Sequence, residues 1–198
     1  MKLVSFEGIE GVGKSTQINL LKKFLESKNL SVEIYREPGS TVVGEKIREL
    51  LLDSSLELTN ESELLLMFAA RAELVHAKLM NCEYDILLLD RFYDASLAYQ
   101  GYGRNISIDF ISSLISFVKC PVPDKSFLLD ISVKESFNRK QFDKKDRIES
   151  ASLDFFNKVR NGYLEIAKDN KDRFFIIDAT KNIETIHNLI LKELDYEL

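Results

Sequence analysis

Short apolar runs alternate along this chain with longer segments of helical periodicity. The apolar runs are rich in leucine, isoleucine, valine and phenylalanine, the composition of strands buried on both faces, and they are Leu3–Phe6, Val32–Tyr35, Ile86–Leu89, Phe127–Ile131 and Phe174–Ile177. The intervening segments predict helices at Lys14–Ser27, Val43–Leu52, Glu61–Met80, Ala95–Tyr99, Ile108–Val118, Val133–Phe142, Ser152–Lys168 and Ile183–Glu193. This alternation predicts an α/β fold, a doubly wound five-stranded parallel sheet with helices on both faces.

Length and composition restrict the class of protein. The 198 residues contain no repeat or interdomain linker, so residues 1–198 are expected to form a single domain. No apolar run reaches the roughly 20 residues that span a bilayer, and the chain enters its first strand without a signal peptide. Cys82 and Cys120 have no motif spacing, which suits a reducing compartment. We therefore expect a cytoplasmic protein without a membrane partner.

The net charge of −5 restricts the classes of ligand that the chain is expected to bind. Bulk binding of nucleic acid is driven by an excess of lysine and arginine, so nucleic acid is not an expected partner. A local cluster of cations on an acidic protein can still hold a phosphate. Small phosphorylated ligands therefore remain compatible with this composition.

A glycine-rich loop joins the first predicted strand to the first predicted helix. Its sequence fits G-x-x-x-x-G-K-[ST] and comprises Gly8, Ile9, Glu10, Gly11, Val12, Gly13, Lys14, Ser15 and Thr16. In such a loop the backbone N–H groups converge on phosphate oxygens, and the helix N-terminus adds a partial positive charge. The lysine supplies a cation and the serine hydroxyl a ligand for Mg²⁺. The strand and helix on either side favour this interpretation over an ordinary flexible loop.

The third strand ends in Asp90-Arg91. In P-loop enzymes an aspartate at this point meets Mg²⁺ directly or through water. Arg91 is then a candidate ligand for a transferring or acceptor phosphate, and the alternative is a structural Asp–Arg pair. Shortly afterwards, Ser96 and Tyr99 have the i,i+3 spacing that would bring a hydroxyl and an aromatic ring to one face of a helix.

Three further groups of residues are candidates for the same cleft. Phe68 and Arg71 lie three residues apart in an apolar helix, where a ring and a guanidinium together suit a nucleobase, although buried aromatics are most often core. Arg36 follows the second strand directly, where it could point into the same cleft. The alternative is an ordinary surface arginine. A basic segment carries five cations between residues 139 and 147, which fits either a lid that closes over phosphates or a solvated face.

These motifs, in this order, resemble those of the bacterial thymidylate kinases, a family of P-loop nucleoside monophosphate kinases. The resemblance runs from end to end of the chain and rests on Phe6–Thr16, Arg36-Glu37-Pro38-Gly39, Phe68-Ala69-Ala70-Arg71, Asp90-Arg91-Phe92, Ala98-Tyr99-Gln100-Gly101, Asp146-Arg147-Ile148-Glu149, Phe155-Phe156, Tyr163 and Ile177-Asp178-Ala179-Thr180. It implies transfer of the γ-phosphoryl group of ATP to dTMP, giving dTDP and ADP.

The resemblance also implies a donor site and a metal site. The loop amides with Lys14, Ser15 and Thr16 would hold ATP, and Mg²⁺ would lie near Ser15 and Asp90. Arg139, at the start of a short lid at about residues 139–149, would pack on adenine. Either Arg147, or Arg139 after lid closure, would supply a cation to the transition state. The family is generally homodimeric, and the apolar helix at residues 61–80 is the expected interface.

For the acceptor, the resemblance implies a site formed by side chains from several parts of the chain. Arg36 and Arg91 would hold the dTMP phosphate, and Glu10 would face the acceptor nucleotide or a metal-bound water. Phe68 would stack on thymine, while Arg71 would bond the base edge with Ser96 close by. Tyr99 would crowd the 2′ position and so favour deoxyribose. Gln100 of the same motif is assigned to this site, and Tyr163 would close over the thymidine.

Three other functions compete with this interpretation. A P-loop kinase could act on another nucleoside monophosphate or on a nucleoside. A GTPase-type switch would need an Asn-Lys-x-Asp motif, and the nearest string, Asn170-Lys171-Asp172-Arg173, lacks the final aspartate. A structural module with a degenerate P-loop is disfavoured by the intact Gly13, Lys14, Ser15 and Asp90.

Overall fold

A computed structural model of the chain describes residues 2–80, 82–140 and 146–195. Its five strands are β1 Lys2–Glu7, β2 Val32–Arg36, β3 Ile86–Asp90, β4 Lys125–Asp130 and β5 Phe174–Asp178. They form one sheet in the order β2-β3-β1-β4-β5, and every neighbouring pair is parallel. The predicted doubly wound parallel sheet is confirmed.

Alternate residues of the central strands enter two different cores, as the period-2 geometry of a strand requires. Val4 and Phe6 of β1 pack with Leu88 in the larger core, together with side chains of helices from both ends of the chain. Leu3 packs with Leu87 and Leu89 on the opposite face of the sheet. The central strands are therefore mostly apolar because helices cover both of their faces.

The α-helices are α1 Lys14–Ser27, α2 Val42–Leu52, α3 Asn60–Leu74, α4 Tyr93–Ser96, α5 Ile108–Val118, α6 Val133–Arg139, α7 Leu153–Asp169 and α8 Ile183–Glu193. Several begin after a residue whose side-chain oxygen accepts the N–H three positions on, which satisfies one of the free donors of the first turn. These N-caps are Thr41, Thr59, Ser107, Ser132, Ser152 and Asn182. No helix in the described ranges is long and apolar enough to cross a membrane.

Two predicted helices differ from the structure. The helix expected at Glu61–Met80 is α-helical only to Leu74 and continues as a π-helical turn, Val75–Leu79. The helix expected at Ala95–Tyr99 consists of α4 followed by a π-helical segment, Leu97–Gly103. A π-helix has the same apolar composition as an α-helix but bonds i to i+5, so hydrophobic spacing did not distinguish them. The predicted end of Val133–Phe142 lies partly outside the described residues.

Candidate active site

One cavity of about 490 Å³ opens at the carboxyl ends of β1, β2 and β3. This is the edge of a parallel sheet where ligands bind in doubly wound folds. The cavity is lined by the P-loop, by residues that follow each of these strands, and by residues on both sides of the predicted lid; among them are Glu10, Gly13, Lys14, Ser15, Thr16, Arg36, Arg71, Asp90, Arg91, Ser96, Tyr99, Gln100 and Arg139. Most of the predicted site residues therefore share one cavity.

The P-loop owes its path to glycine at Gly8, Gly11 and Gly13, where φ is 127°, 69° and 95°. A Cβ atom on Gly8 would lie 2.5 Å from the carbonyl oxygen of Leu129, so a side chain is excluded there on space as well as conformation. The turn brings the loop back across its own lysine. The loop carbonyls and amides thus surround a small space in front of α1.

Lys14 is folded into this loop. Its Nζ donates to the carbonyl oxygens of Gly8 at 3.1 Å and of Ile9 at 2.9 Å. Burial, and then the positive charge of Arg91, lowers the pKa of Lys14 from 10.5 to about 8. An anionic ligand in the loop would favour the charged form, because it would supply the counter-charge that the carbonyl dipoles provide only in part.

Ser15 and Asp90 form a pair of oxygen ligands at the start of α1 and the end of β3. The Ser15 hydroxyl donates to Asp90 Oδ2 at 3.1 Å. No group of three or more His, Cys, Asp or Glu side chains among the described residues is arranged to hold a metal ion. Magnesium bound with a nucleotide takes only one or two protein oxygens, with phosphates and water completing its shell. A hydroxyl paired with a carboxylate fits that requirement.

Arg91 lies at the centre of the polar contacts in the cavity. Its NH1 donates to the Gly8 carbonyl at 2.8 Å, and its NH2 donates to Glu10 Oε1 at 2.8 Å. The Tyr99 hydroxyl donates to the same Glu10 carboxylate, at 2.7 and 2.9 Å to its two oxygens. The Arg91 guanidinium also lies over the Tyr99 ring, 4.9 Å from its centroid. Arg91, Glu10 and Tyr99 therefore form one connected group beside the P-loop.

A buried carboxylate that the sequence analysis missed lies beneath this group. Glu7, at the end of β1, accepts from the backbone N–H of Phe92 at 2.8 Å and from the Tyr163 hydroxyl at 3.1 Å. Burial, and then the charge of Asp94, raises the pKa of Glu7 from 4.5 to about 8. The sequence did contain one indication of this site: a charged residue, Glu7, ends an apolar strand directly before the P-loop.

Arg71 occupies the opposite wall of the cavity. Its guanidinium forms a salt bridge with Glu37 at 2.7 Å and donates to Ser96 Oγ at 2.9 Å and to the Phe92 carbonyl at 3.3 Å. Burial raises the pKa of Glu37, although the charge of Arg71 opposes that rise. Glu37 was quoted for the family resemblance but not assigned to the site. Arg71 is thus held in one position by the protein itself.

Phe68 packs behind Arg71. Its ring centroid is 4.6 Å from the Arg71 guanidinium carbon, and the ring belongs to a small buried apolar cluster with Leu64 and Ile111. Among the described residues that line the cavity, Met67 is present and Phe68 is not. The stacking of Phe68 on a base therefore stays a prediction. Tyr163 is likewise buried outside the described cavity lining, with its hydroxyl between Glu7 and Arg91.

Arg36 lies at the cavity rim and is half exposed. Its NH2 donates to both carboxylate oxygens of Glu45, at 3.1 and 3.0 Å. A second arginine on α2, Arg48, also lines the cavity and donates to the Pro38 carbonyl at 2.9 Å. The sequence analysis missed Arg48, although its i,i+3 spacing from Glu45 puts both on one helix face.

The predicted lid is described only at its two ends, because residues 141–145 lie outside the described residues. Arg139 donates to the Ala179 carbonyl at 2.9 Å and borders both the main cavity and an adjoining one on the other side of the P-loop. Arg147 donates to Glu63 Oε2 at 2.7 Å and to the Leu51 carbonyl at 2.9 Å. Of the described residues at the second end of the lid, Asp146, Ile148 and Glu149 line the cavity and Arg147 does not.

The fold and this cavity define the class of protein. A glycine-rich loop between β1 and α1, a lysine inside it, and a sheet ordered β2-β3-β1-β4-β5 are the features of a P-loop nucleotide kinase. A family model described as thymidylate kinase matches residues 6–190. The chain belongs to the thymidylate kinase family.

Individual relatives agree over nearly the whole chain. A thymidylate kinase of Thermosipho africanus is 46% identical over 190 residues, covering 92% of this chain and 92% of the relative. One of Kosmotoga olearia is 43% identical over 194 residues, covering 96% and 93%. The crystal structure of thymidylate kinase from Ehrlichia chaffeensis superposes with a TM-score of 0.79 at 33% identity, covering 98% of both chains. These relatives confirm the family predicted from the motifs.

Replacing Glu7 with glutamine should change how stability depends on pH. Because the folded state raises the pKa of Glu7 to about 8, its contribution to the free energy of unfolding is full below the unfolded value of 4.5 and is lost as the pH rises to the folded value. Glutamine does not ionise, so the stability of Glu7→Gln does not fall with pH in this way. The melting temperature of Glu7→Gln relative to wild type should therefore rise by about 10 °C between about pH 5 and pH 9, measured by calorimetry.

Glu165→Gln is the matched control for this titration, since its carboxylate is 53% exposed. A relative melting temperature for Glu7→Gln that stays level across the pH range, or that rises no more than that of the control, would contradict the burial effect.

Proposed function

We propose that this chain transfers the γ-phosphoryl group of ATP to dTMP in this cavity, giving dTDP and ADP. The observation that carries the proposal is that Lys14 Nζ and Arg91 NH1 share one acceptor, the Gly8 carbonyl, at 3.1 and 2.8 Å. A donor phosphate on Lys14 and an acceptor phosphate on Arg91 would consequently be neighbours. The free thiols of Cys82 and Cys120 suit the reducing cytoplasm, and we place the reaction there.

ATP is the donor in this proposal. The loop amides with Lys14, Ser15 and Thr16 take its phosphates, as glycine-rich loops at helix N-termini do. The base extends towards the adjoining cavity of about 690 Å³, which Arg139 borders together with Ala179, Asn182 and Ile183. Ser15 and Asp90 would hold Mg²⁺, which neutralises phosphate charge when it is bound.

The acceptor occupies the other half of the main cavity. Arg36 and Arg91 take its phosphate, since guanidinium groups bind phosphate oxygens in a fork. Arg71 offers donors to the O4 atom of thymine, with Ser96 and Gln100 on the same wall. We retain Phe68 as the predicted stacking residue and assign it the support of Arg71 in the ligand-free state.

Selection of deoxyribose rests on Tyr99 and Glu10 in this proposal. The Tyr99 hydroxyl and the Glu10 carboxylate hold each other at 2.7 Å inside the cavity, so a sugar beside them meets a rigid pair. A 2′-hydroxyl would need room and a partner there, and its desolvation would go uncompensated. The same carboxylate fixes Arg91, which links recognition of the sugar to the position of the phosphate.

The reaction needs positioning and charge rather than a covalent intermediate. In phosphoryl transfer, negative charge spreads over the oxygens of the moving group, and fixed cations stabilise it. Lys14 on the donor side and Arg91 on the acceptor side are two cations that line the cavity beside the P-loop. Of the two candidate lid arginines, Arg139 borders the cavity, whereas Arg147 would first have to leave Glu63. We therefore favour Arg139 as the lid cation and keep Arg147 as the second candidate.

A panel of acceptors tests the proposed substrate. With ATP and Mg²⁺, we expect ADP release with dTMP to exceed that with dCMP or dGMP by at least about tenfold in kcat/KM, because O4 of thymine accepts from Arg71 where cytosine presents an amino donor. The measurement is a coupled assay of ADP release. Turnover of dCMP or dGMP without turnover of dTMP would contradict the assignment and favour another monophosphate kinase.

Substitution of Arg36 tests the acceptor-phosphate site. Arg36→Ala should raise the KM for dTMP by about tenfold, the loss of one charge-assisted contact at an exposed position, and should leave the KM for ATP within about twofold. Arg160→Ala is the control, because its guanidinium pairs with Asp130 and is not among the described residues that line the cavity. An equal rise in both KM values would argue against a specific phosphate contact.

We also propose a homodimer that forms through α3. One face of this helix is exposed and apolar, with Leu65 55% exposed and Ala69 four residues later. Helix α5 contacts α3 and adds Phe110 and Phe117, which are 50% and 82% exposed. These two residues are seven positions apart and therefore lie on the same face of α5. Exposed apolar side chains on two helices that contact each other are typical of a protein–protein interface.

A charge on this surface tests the dimer. Leu65→Glu should halve the mass measured by light scattering, because the new carboxylate would be desolvated at the interface. Ile176→Glu places the same charge on a 54% exposed residue of β5 and should leave the mass unchanged. A monomeric wild-type protein at the same concentration would overturn the proposal.

A further inference from the structure

Glu7 has no direct access to a ligand in the proposed reaction. It is fully buried at the end of β1, and it is absent from the described lining of the main cavity. Its neighbour Asp94 is already neutralised, since Arg173 donates to both Asp94 oxygens at 2.7 and 2.8 Å. Arg173 is therefore committed elsewhere, and the cation nearest in the hydrogen-bond network of Glu7 is Arg91.

The first connection from Glu7 to Arg91 runs through the backbone. Arg91 has φ of 69°, a left-handed conformation that is unfavourable for a non-glycine residue. It is held on both sides: the Arg91 N–H donates to the Phe6 carbonyl at 3.0 Å, and the next N–H, that of Phe92, donates to Glu7 Oε1 at 2.8 Å. The Glu7 carboxylate thus helps to fix the turn from which the Arg91 side chain departs.

The second connection runs through a side chain. The Tyr163 hydroxyl donates to Glu7 Oε2 at 3.1 Å, and its oxygen accepts from Arg91 NH1 at 3.1 Å. Tyr163 is 1% exposed, so this chain of bonds is shielded from water. Glu7 therefore reaches both the backbone and the guanidinium of Arg91.

The backbone of Phe92 also connects Glu7 to Arg71, the arginine proposed to contact the base. While its N–H is held by Glu7, the Phe92 carbonyl accepts from Arg71 NH2 at 3.3 Å. Arg71 and Arg91 line the cavity from different elements. Phe92 is hydrogen-bonded both to Glu7, which helps to fix Arg91, and to the guanidinium of Arg71.

We infer that Glu7 is a positioning residue that orients Arg91 for phosphoryl transfer through the Phe92 N–H and the Tyr163 hydroxyl. This inference rests on the proposed role of Arg91 at the acceptor phosphate. It also gives Tyr163 a role beneath the site in addition to the predicted one beside the thymidine.

Two substitutions at position 7 separate hydrogen bonding from mere occupation of space. Glu7→Met fills a similar volume but accepts neither bond, and should lower kcat by about 30-fold while the KM for ATP stays within about twofold. Glu7→Gln can accept from Phe92 with its oxygen and donate to the Tyr163 oxygen with its amide, so it should retain kcat within about threefold.

A double-mutant cycle with Arg91→Lys shows whether Glu7 acts through Arg91. Lysine lacks the planar fork that Tyr163 orients, so in that background Glu7→Met should lower kcat by no more than about threefold. An equal fold-loss in both backgrounds would overturn the inference and leave Glu7 a structural residue. A wild-type kcat for Glu7→Met alone would do the same.

Two further variants guard against a loss of folding. If circular dichroism shows that Glu7→Met is unfolded, Tyr163→Phe decides instead: it should lower kcat about fivefold in the wild-type background and leave it unchanged with Arg91→Lys. Asp94→Asn changes an adjacent buried carboxylate without a bond to Arg91, and should lower the melting temperature while kcat stays within about twofold.

The single variant Arg91→Lys separates the inference from the proposed function. A wild-type kcat for Arg91→Lys would remove Arg91 from the transfer step and overturn the inference, although the chain would still transfer a phosphoryl group to dTMP. Absence of dTMP turnover in the wild-type protein would instead overturn the proposed function. A loss of kcat in Arg91→Lys together with a normal Glu7→Met would leave the proposed function in place and overturn only the role of Glu7.

Discussion

The parallel pairing of β1 with β3 is the constraint on which this site depends. Its register pairs Phe6 with Asp90, so Gly8 at the start of the P-loop and Arg91 after β3 leave the sheet close together, and Arg91 NH1 reaches the Gly8 carbonyl at 2.8 Å. Pairing of β2 with β3 adds Arg36 opposite the same aspartate. A shift of one residue in either pairing would turn alternate side chains to the wrong face. The distances between phosphate-binding groups are thus set by the backbone hydrogen bonds of the sheet.

Around these strand ends the protein buries several carboxylates, and three of them pair directly with arginines. Glu37 pairs with Arg71, Asp94 with Arg173, and Glu63 with both Arg104 and Arg147. Buried ion pairs add little net stability, because desolvation offsets most of their attraction, but removing one partner costs about 3–5 kcal/mol. Their effect here is conformational: each buried carboxylate holds its arginine in one orientation.

Local patterns were sufficient to predict the strands, most helices and the P-loop, because their periodicity and glycine spacing lie within a few neighbouring residues. They also brought Arg36, Arg71, Asp90 and Arg91 to one edge, since parallel strands deliver their carboxyl ends together. The partners of these residues could not be predicted, because Glu37 and Arg71 lie 34 positions apart and Glu7 and Tyr163 lie 156 apart. The orientation of Phe68 was undetermined for the same reason: helical spacing gives a face but not what packs on it.

The ion pair between Arg36 and Glu45 has a consequence for selectivity between anions. In the free protein the carboxylate occupies the guanidinium edge that the proposed acceptor phosphate would use. An arriving phosphate therefore replaces a resident competitor, and the favourable energy is the difference between two anions. Inorganic phosphate, or a misplaced tail of the donor nucleotide, gains little from that exchange alone. A nucleotide that also engaged the proposed base wall would make the exchange favourable.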